Sequence, residues 1–211
     1  MPESSQPSES EESKEERINR LVRDIPEVMR EYGIPKRFIQ KDLVGSLSLD
    51  VIKKGVCLTG KVGVGKTMAV CLLARDWLFN RLKNSTGEMW GTVSREAWKF
   101  VVYPEFIMRI QDSFKNKRSD ESAWEMLEEL AKTPYLIIDD LGAEKPTEYV
   151  RQATYYIINH REMNLLPTFI TTNFSMDHLD ENLDPRISSR IAGMCDIMRF
   201  EGNDRRIRGA K

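Results

Sequence analysis

Residues 60–67, GKVGVGKT, constrain this chain more than any other stretch. They follow a short apolar run, VCLT, and open KTMAVCLLARDWLFNRL, whose apolar residues recur at helical spacing. A strand that turns through three glycines into a helix is the opening unit of an α/β fold. The glycines let the backbone curl until its N–H groups face one point, and the helix N-terminus adds partial positive charge there. The spacing is that of a phosphate-binding loop, G-x-x-x-x-G-K-[ST]. Gly60, Lys61, Val62, Gly63, Val64 and Gly65 are expected to wrap a phosphate chain. Lys66 is expected to reach its outer phosphates, and the Thr67 hydroxyl to ligate Mg²⁺.

Downstream, strand-like and helical runs alternate. WKFVVY, YLIID, PTFITT and CDIMRF read as strands. Between them, Pro104 opens a helix through about Phe114, ESAWEMLEELAK is helical, and TEYVRQATYYIINHREMN is a long helix. This order predicts an α/β sandwich with a mainly parallel sheet. No internal repeat is visible.

YLIIDDLGAEK sets a chemical problem, because its apolar strand finishes on two adjacent acids, Asp139 and Asp140. Two neighbouring carboxylates need solvent, cations or a metal close by. With a phosphate loop present, Asp139 is the candidate for the Mg²⁺ shell and Asp140 for the general base that faces the attacking water. FITTN ends another apolar strand on polar residues. A resemblance to P-loop ATPases of the ring-forming kind, in which a polar residue here holds the water or the γ-phosphate, makes Asn173 the candidate, with Thr172 a weaker one. DPRISSRI places Arg186 and Arg190 four residues apart on one helix face.

The rest of the chain narrows the class. Of 211 residues 31% are charged and 40% hydrophobic, with net charge −1, which by itself points to no polyanion partner. The first sixteen residues hold six Glu and one Lys and no apolar residue beyond Met1, so they read as a disordered acidic tail. Ile18, Leu21, Val22, Ile25, Val28, Met29 and Tyr32 then form a helical stripe with Gly33 as its stop. Cys57, Cys71 and Cys195 are far apart and read as small buried hydrophobes, which suits a reducing, cytoplasmic location. No apolar stretch nears the ~20 residues of a membrane-spanning helix.

From about residue 34 to 206 the chain resembles the DnaC/IstB-like branch of the AAA+ ATPases. GIPKRF, GKVGVGKT, YLIIDDLGAEK, IINHREMNLLPTFITTNFS and RISSRI carry the resemblance. It implies a P-loop AAA+ core with a five-stranded mainly parallel sheet over residues 55–211. It implies Mg-ATP hydrolysis, Asn173 as first sensor residue, and Arg190 as an arginine finger reaching the γ-phosphate on a neighbouring subunit. Homo-oligomers are then expected when ATP is bound. Arg161 matches a basic position of the family's long helix and takes no role from it. Little chain follows the last strand, so no C-terminal helical lid is expected. Arg205 or Arg206 is left either as a stand-in phosphate contact or as part of a solvated basic tail.

Among such ATPases the reading is a DnaC-like helicase loader in DNA replication, with a replicative helicase and single-stranded DNA as partners. Residues 17–54 read as a short helical region and linker whose stripe, 17–32, either docks on the chain's own ATPase core or, the favoured reading, lies in a groove of the helicase. Phe106, Arg109, Phe114, Lys115, Lys117 and Arg118 mix aromatic and basic side chains as single-strand binders do. A helix with a buried Phe face would give the same pattern. An IstB-type transposition ATPase and a nucleotide-switched adaptor with negligible hydrolysis are the alternatives.

Overall fold

The alternating runs become five strands of five residues each. The computed structural model describes residues 16, 26–27, 29–30, 33–39, 55–84, 98–115 and 122–204. Strands β1 (Gly55–Thr59), β2 (Trp98–Val102), β3 (Tyr135–Asp139), β4 (Thr168–Thr172) and β5 (Cys195–Arg199) lie in the order β2-β3-β4-β1-β5. Every pairing is parallel, so the sheet is wholly rather than mainly parallel. β1 and β4 are buried along their whole length, as strands covered on both faces must be.

The helices are α1 (Lys36–Ile39), α2 (Lys66–Asn84), α3 (Tyr103–Lys115), α4 (Ala123–Lys132), α5 (Glu148–Met163), α6 (Met176–Asn182) and α7 (Pro185–Met194). Their starts are written locally. Ser122 and Glu125 form a reciprocal capping box on α4, Thr147 caps α5, and Asp184 caps α7 ahead of Pro185.

Successive strand residues feed opposite layers. Val56, Leu58, Ile137 and Phe169 pack with Val70 and Leu73 of α2. Cys57, Leu136, Ile138 and Ile170 pack on the other face with Ile107, Leu130, Ile157 and Ile187. All three cysteines are buried thiols, none of them in a disulfide. Burial pushes the Cys57 thiol up to about 12 and raises Cys71 as well, so neither is a thiolate at neutral pH.

Two expectations need correction. Met29, part of the stripe assigned to a helicase groove, is 1% exposed and packs in the protein's own core. The cause is the stop at Gly33 (φ 78), where Gly33 N–H donates to Arg30 O and Ile34 N–H to Met29 O. This closure folds Ile34 and Phe38 back onto the α2 layer. The other apolar residues of the stripe, from Ile18 to Val28 and Tyr32, lie outside the described residues. Phe106, counted with the DNA-facing aromatics, is 7% exposed and sits in the core beside Tyr103. It falls on the inward side of α3, whereas Phe114, 60% exposed, stands edge-on to Tyr149. The Lys115 side chain, Lys117 and Arg118 lie outside the described residues.

Candidate nucleotide site

The strand order assembles the site. β4 lies between β1 and β3, so the loop after β1, the acids after β3 and Asn173 after β4 meet at one end of the sheet. Parallel sheets of this kind take ligands at the carboxyl ends of their strands. A cleft of about 430 Å³ opens there, lined by Gly63, Gly65, Lys66, Thr67, Asp139, Asp140, Thr171 and Asn173.

The loop is bent tightly enough to need its glycines. Gly60 (φ 146) leaves no room for a Cβ, which would lie 2.1 Å from Phe200 O. A Cβ on Gly63 (φ 80) would run into the Asp204 carboxylate. Phe200 N–H also donates to Thr59 O (2.6 Å), so the segment after β5 braces the loop from outside. Arg205 and Arg206, beyond it, are outside the described residues.

Lys66 opens α2 and is 6% exposed. Its Nζ donates to Gly60 O and Lys61 O, both at 2.9 Å, and to Asn173 Oδ1 at 2.7 Å. Asn173 in turn donates from Nδ2 to Asp140 Oδ1 (2.5 Å). A chain of charge-assisted bonds therefore links the loop lysine to the proposed base through Asn173.

A second chain surrounds Asp139. Thr171 Oγ1 donates to Asp139 Oδ1 (2.6 Å), and Thr67 hydrogen-bonds the same carboxylate. Burial raises the Asp139 pKa, and the threonine bonds and the Lys66 charge oppose that rise. Thr67 and Asp139 are thus neighbouring oxygen donors beside a cationic loop. That is a hard-ligand set which fits Mg²⁺ together with phosphate oxygens and water.

Asp140 sits at φ 63, a left-handed conformation that costs a non-glycine residue roughly 1–2 kcal/mol. The surroundings hold it there. Its N–H donates to Thr171 Oγ1 (2.9 Å), Leu141 N–H to Thr171 O (2.9 Å), and Thr172 Oγ1 to Leu141 O (2.8 Å). Thr172, the weaker sequence candidate, is fully buried and braces this turn, while Thr171 is the threonine that lines the cleft. Alternation along β4 decides between them.

Two residues that line the cleft, and one buried acid that interacts with Asp140, were not legible in the sequence. Arg37 and Phe38 line the cleft, the guanidinium 4.5 Å over the ring. Their only signal was the segment GIPKRF. Glu144, 8% exposed, accepts from Gly142 N–H (3.1 Å) through Oε2, while its buried Oε1 has no partner. Burial, helped by Asp140, pushes its pKa up to about 7. Between its ordinary range and 7 the folded state binds the extra proton, so stability falls as pH rises through that window. Glu144→Gln keeps an acceptor for Gly142 and carries no charge. From pH 5 to 8 its stability, read from melting temperatures, is expected to fall by on the order of 2 kcal/mol less than that of the wild type. Parallel pH slopes for the two proteins would refute this.

Arg190 does not line the cleft. Its Nε donates to Asn159 Oδ1 (2.8 Å) and its Nη2 to Tyr155 OH (3.2 Å), on the α5–α7 surface. One chain therefore brings together Lys66, Thr67, Asp139, Asp140 and Asn173 and leaves Arg190 elsewhere.

No family model matches the chain. The replicative helicase loader DnaI of Bacillus subtilis (strain 168) is 31% identical over 167 residues, which cover 72% of this chain and 48% of that protein. The chain spans about half the length of the curated relatives it matches. Among solved structures, a DnaI structure superposes with TM-score 0.56 at 25% identity, covering 87% of this chain and 84% of the other. The DnaC helicase loader structure superposes with TM-score 0.53 at 26% identity, covering 70% and 78%. Sequence likeness and shared architecture agree, and the core of this chain is that of a DnaC/DnaI-like AAA+ ATPase.

Proposed function

We propose that the chain is a Mg-ATP-dependent ATPase that acts as a replicative helicase loader, with a replicative helicase and single-stranded DNA as partners. The observation that carries the ATPase reading is the bond chain from Lys66 through Asn173 to Asp140, beside the Thr67–Asp139 pair. Lys66 binds the outer phosphates. Thr67 and Asp139 hold Mg²⁺, which when bound neutralises charge developing on the phosphate oxygens. Asp140 takes a proton from water as the water oxygen bonds to the γ-phosphorus and the bond to the β–γ bridging oxygen breaks, leaving ADP. Asn173 keeps Asp140 and the terminal phosphate in register. Arg190 serves the nucleotide held by a second copy of the chain, in an ATP-dependent homo-oligomer.

The loader reading is supported by likeness to two named loaders, DnaI and DnaC, and rests on that likeness. Phe114 is the exposed aromatic that remains for single-stranded DNA near α3. The test is co-purification with the host's replicative helicase in the presence of ATP, followed by helicase transfer onto single-stranded DNA. Wild type is expected to succeed. Lys66→Ala is expected to lose tight binding of a fluorescent ATP analogue, and helicase transfer with it. Wild-type nucleotide affinity in Lys66→Ala would remove the site. ATPase activity without helicase capture would remove the loader role alone.

A further inference from the structure

Arg190 is the one proposed ATPase residue that lies outside its own cleft, and the structure holds its guanidinium in a particular way. Tyr155, Asn159 and Glu162 occupy one stripe of α5, at intervals of four and three residues. Arg190 reaches across from α7 to all three. Its Nε donates to Asn159 Oδ1 at 2.8 Å, its Nη2 donates to Tyr155 OH at 3.2 Å, and Glu162 lies 3.8 Å from Nε. The Arg190 guanidinium carbon is 5.0 Å from the Tyr155 ring centroid, and Arg186 packs on the same ring at 4.7 Å. Arg186 is itself held by the Asp184 carboxylate (2.7 Å).

A guanidinium offers five N–H groups in a rigid fork. The bonds to Asn159 and Tyr155 use the side edge, formed by Nε and one hydrogen of Nη2. The end edge is formed by Nη1 and the second hydrogen of Nη2, and among the described residues Nη1 meets only the Arg186 carbonyl, at 3.5 Å. That end edge has the geometry for bidentate contact with phosphate oxygens. We propose that Tyr155 and Asn159 are positioning residues that orient Arg190 toward the nucleotide bound by a second copy of the chain. This rests on the reading of Arg190 as a group acting in trans. A long side chain fixed in advance gives up less rotational freedom when it meets the phosphate, and an error of about 1 Å in such contacts lowers rates by up to about 100-fold.

The experiment compares Tyr155→Leu/Asn159→Ala, the milder Tyr155→Phe, and Arg190→Ala. For each, three quantities are read: ATP affinity, turnover at saturating ATP, and turnover after mixing with Lys66→Ala, whose own P-loop is disabled but whose Arg190 is intact. The double variant is expected to bind ATP as wild type does and to turn over about tenfold slower or worse. Mixing is expected to restore part of its rate, as for Arg190→Ala, because Lys66→Ala supplies a correctly held arginine. Tyr155→Phe, which loses only the hydroxyl, is expected to fall between wild type and the double variant, and it gives the answer should the double variant fold poorly. Wild-type turnover in Tyr155→Phe and in any folded double variant, with Arg190→Ala impaired, would overturn the positioning role and leave the trans arginine standing. Slow turnover that mixing does not restore, or that comes with weakened ATP binding, would make Tyr155 and Asn159 structural and overturn it as well. Normal turnover in Arg190→Ala would instead overturn the trans reading on which the inference rests.

Discussion

Asp140→Asn is expected to bind ATP with wild-type or tighter affinity and to hydrolyse it roughly 10²–10⁴-fold more slowly, the range typical for loss of a general base. The substitution is nearly isosteric. Asparagine tolerates the left-handed backbone that Asp140 adopts, and its Oδ1 still accepts from Asn173 Nδ2. The anchor of Lys66 on Asn173 is therefore retained, and only the proton-accepting charge is lost. Asp139→Asn should behave differently, because it weakens the oxygen pair with Thr67 and with it Mg²⁺ dependence. Single-turnover hydrolysis with preloaded ATP separates the two effects. A normal rate for Asp140→Asn would place the base elsewhere in the cleft.

Arg161→Met is expected to destabilise the fold by about 3–5 kcal/mol, a large part of the ~5–15 kcal/mol that holds a domain together. Arg161 is fully buried. Its Nη1 donates to Leu130 O (2.9 Å) and Thr133 O (2.6 Å), Nη2 to Pro167 O (2.9 Å), and Nε to Thr168 Oγ1 (2.9 Å). The Leu130 and Thr133 carbonyls lie at the C-terminal end of α4, where helix carbonyls lack intrahelical partners and the dipole is negative. One guanidinium thus joins α4, α5 and the entry to β4. Burial lowers its pKa to about 9, which leaves it charged at neutral pH. Methionine fills similar space and strands the carbonyls. Lysine is expected to recover only part of the loss, since an ammonium cannot span the same fork. Urea unfolding at constant m-value measures both, and ATP affinity of the folded fraction should not change. A loss below about 1 kcal/mol for Arg161→Met would mean that water replaces the guanidinium.

Whatever depended on local spacing was legible in the sequence. The loop from Gly60 to Thr67, the five strands, the capped helices and the acids Asp139 and Asp140 are contiguous patterns, because period, turn chemistry and phosphate geometry act over a few residues. Three things were not local. The insertion of β4 between β1 and β3 brings Asn173 to Lys66, and only the sheet order states it. The pleat of β4 turned Thr171 rather than Thr172 toward the acids, a difference of one residue that composition cannot register. Arg161, which took no role from its place in the sequence, is a buried collector of carbonyls, because its partners at the end of α4 come from a segment some thirty residues away. The same holds for Met29 and Phe106, apolar residues whose spacing says that they are buried or presented but not against what. Spacing along the chain determines which groups exist and on which face of an element they stand. Which groups meet is decided only when elements distant in sequence pack, because burial and hydrogen bonding are satisfied in space.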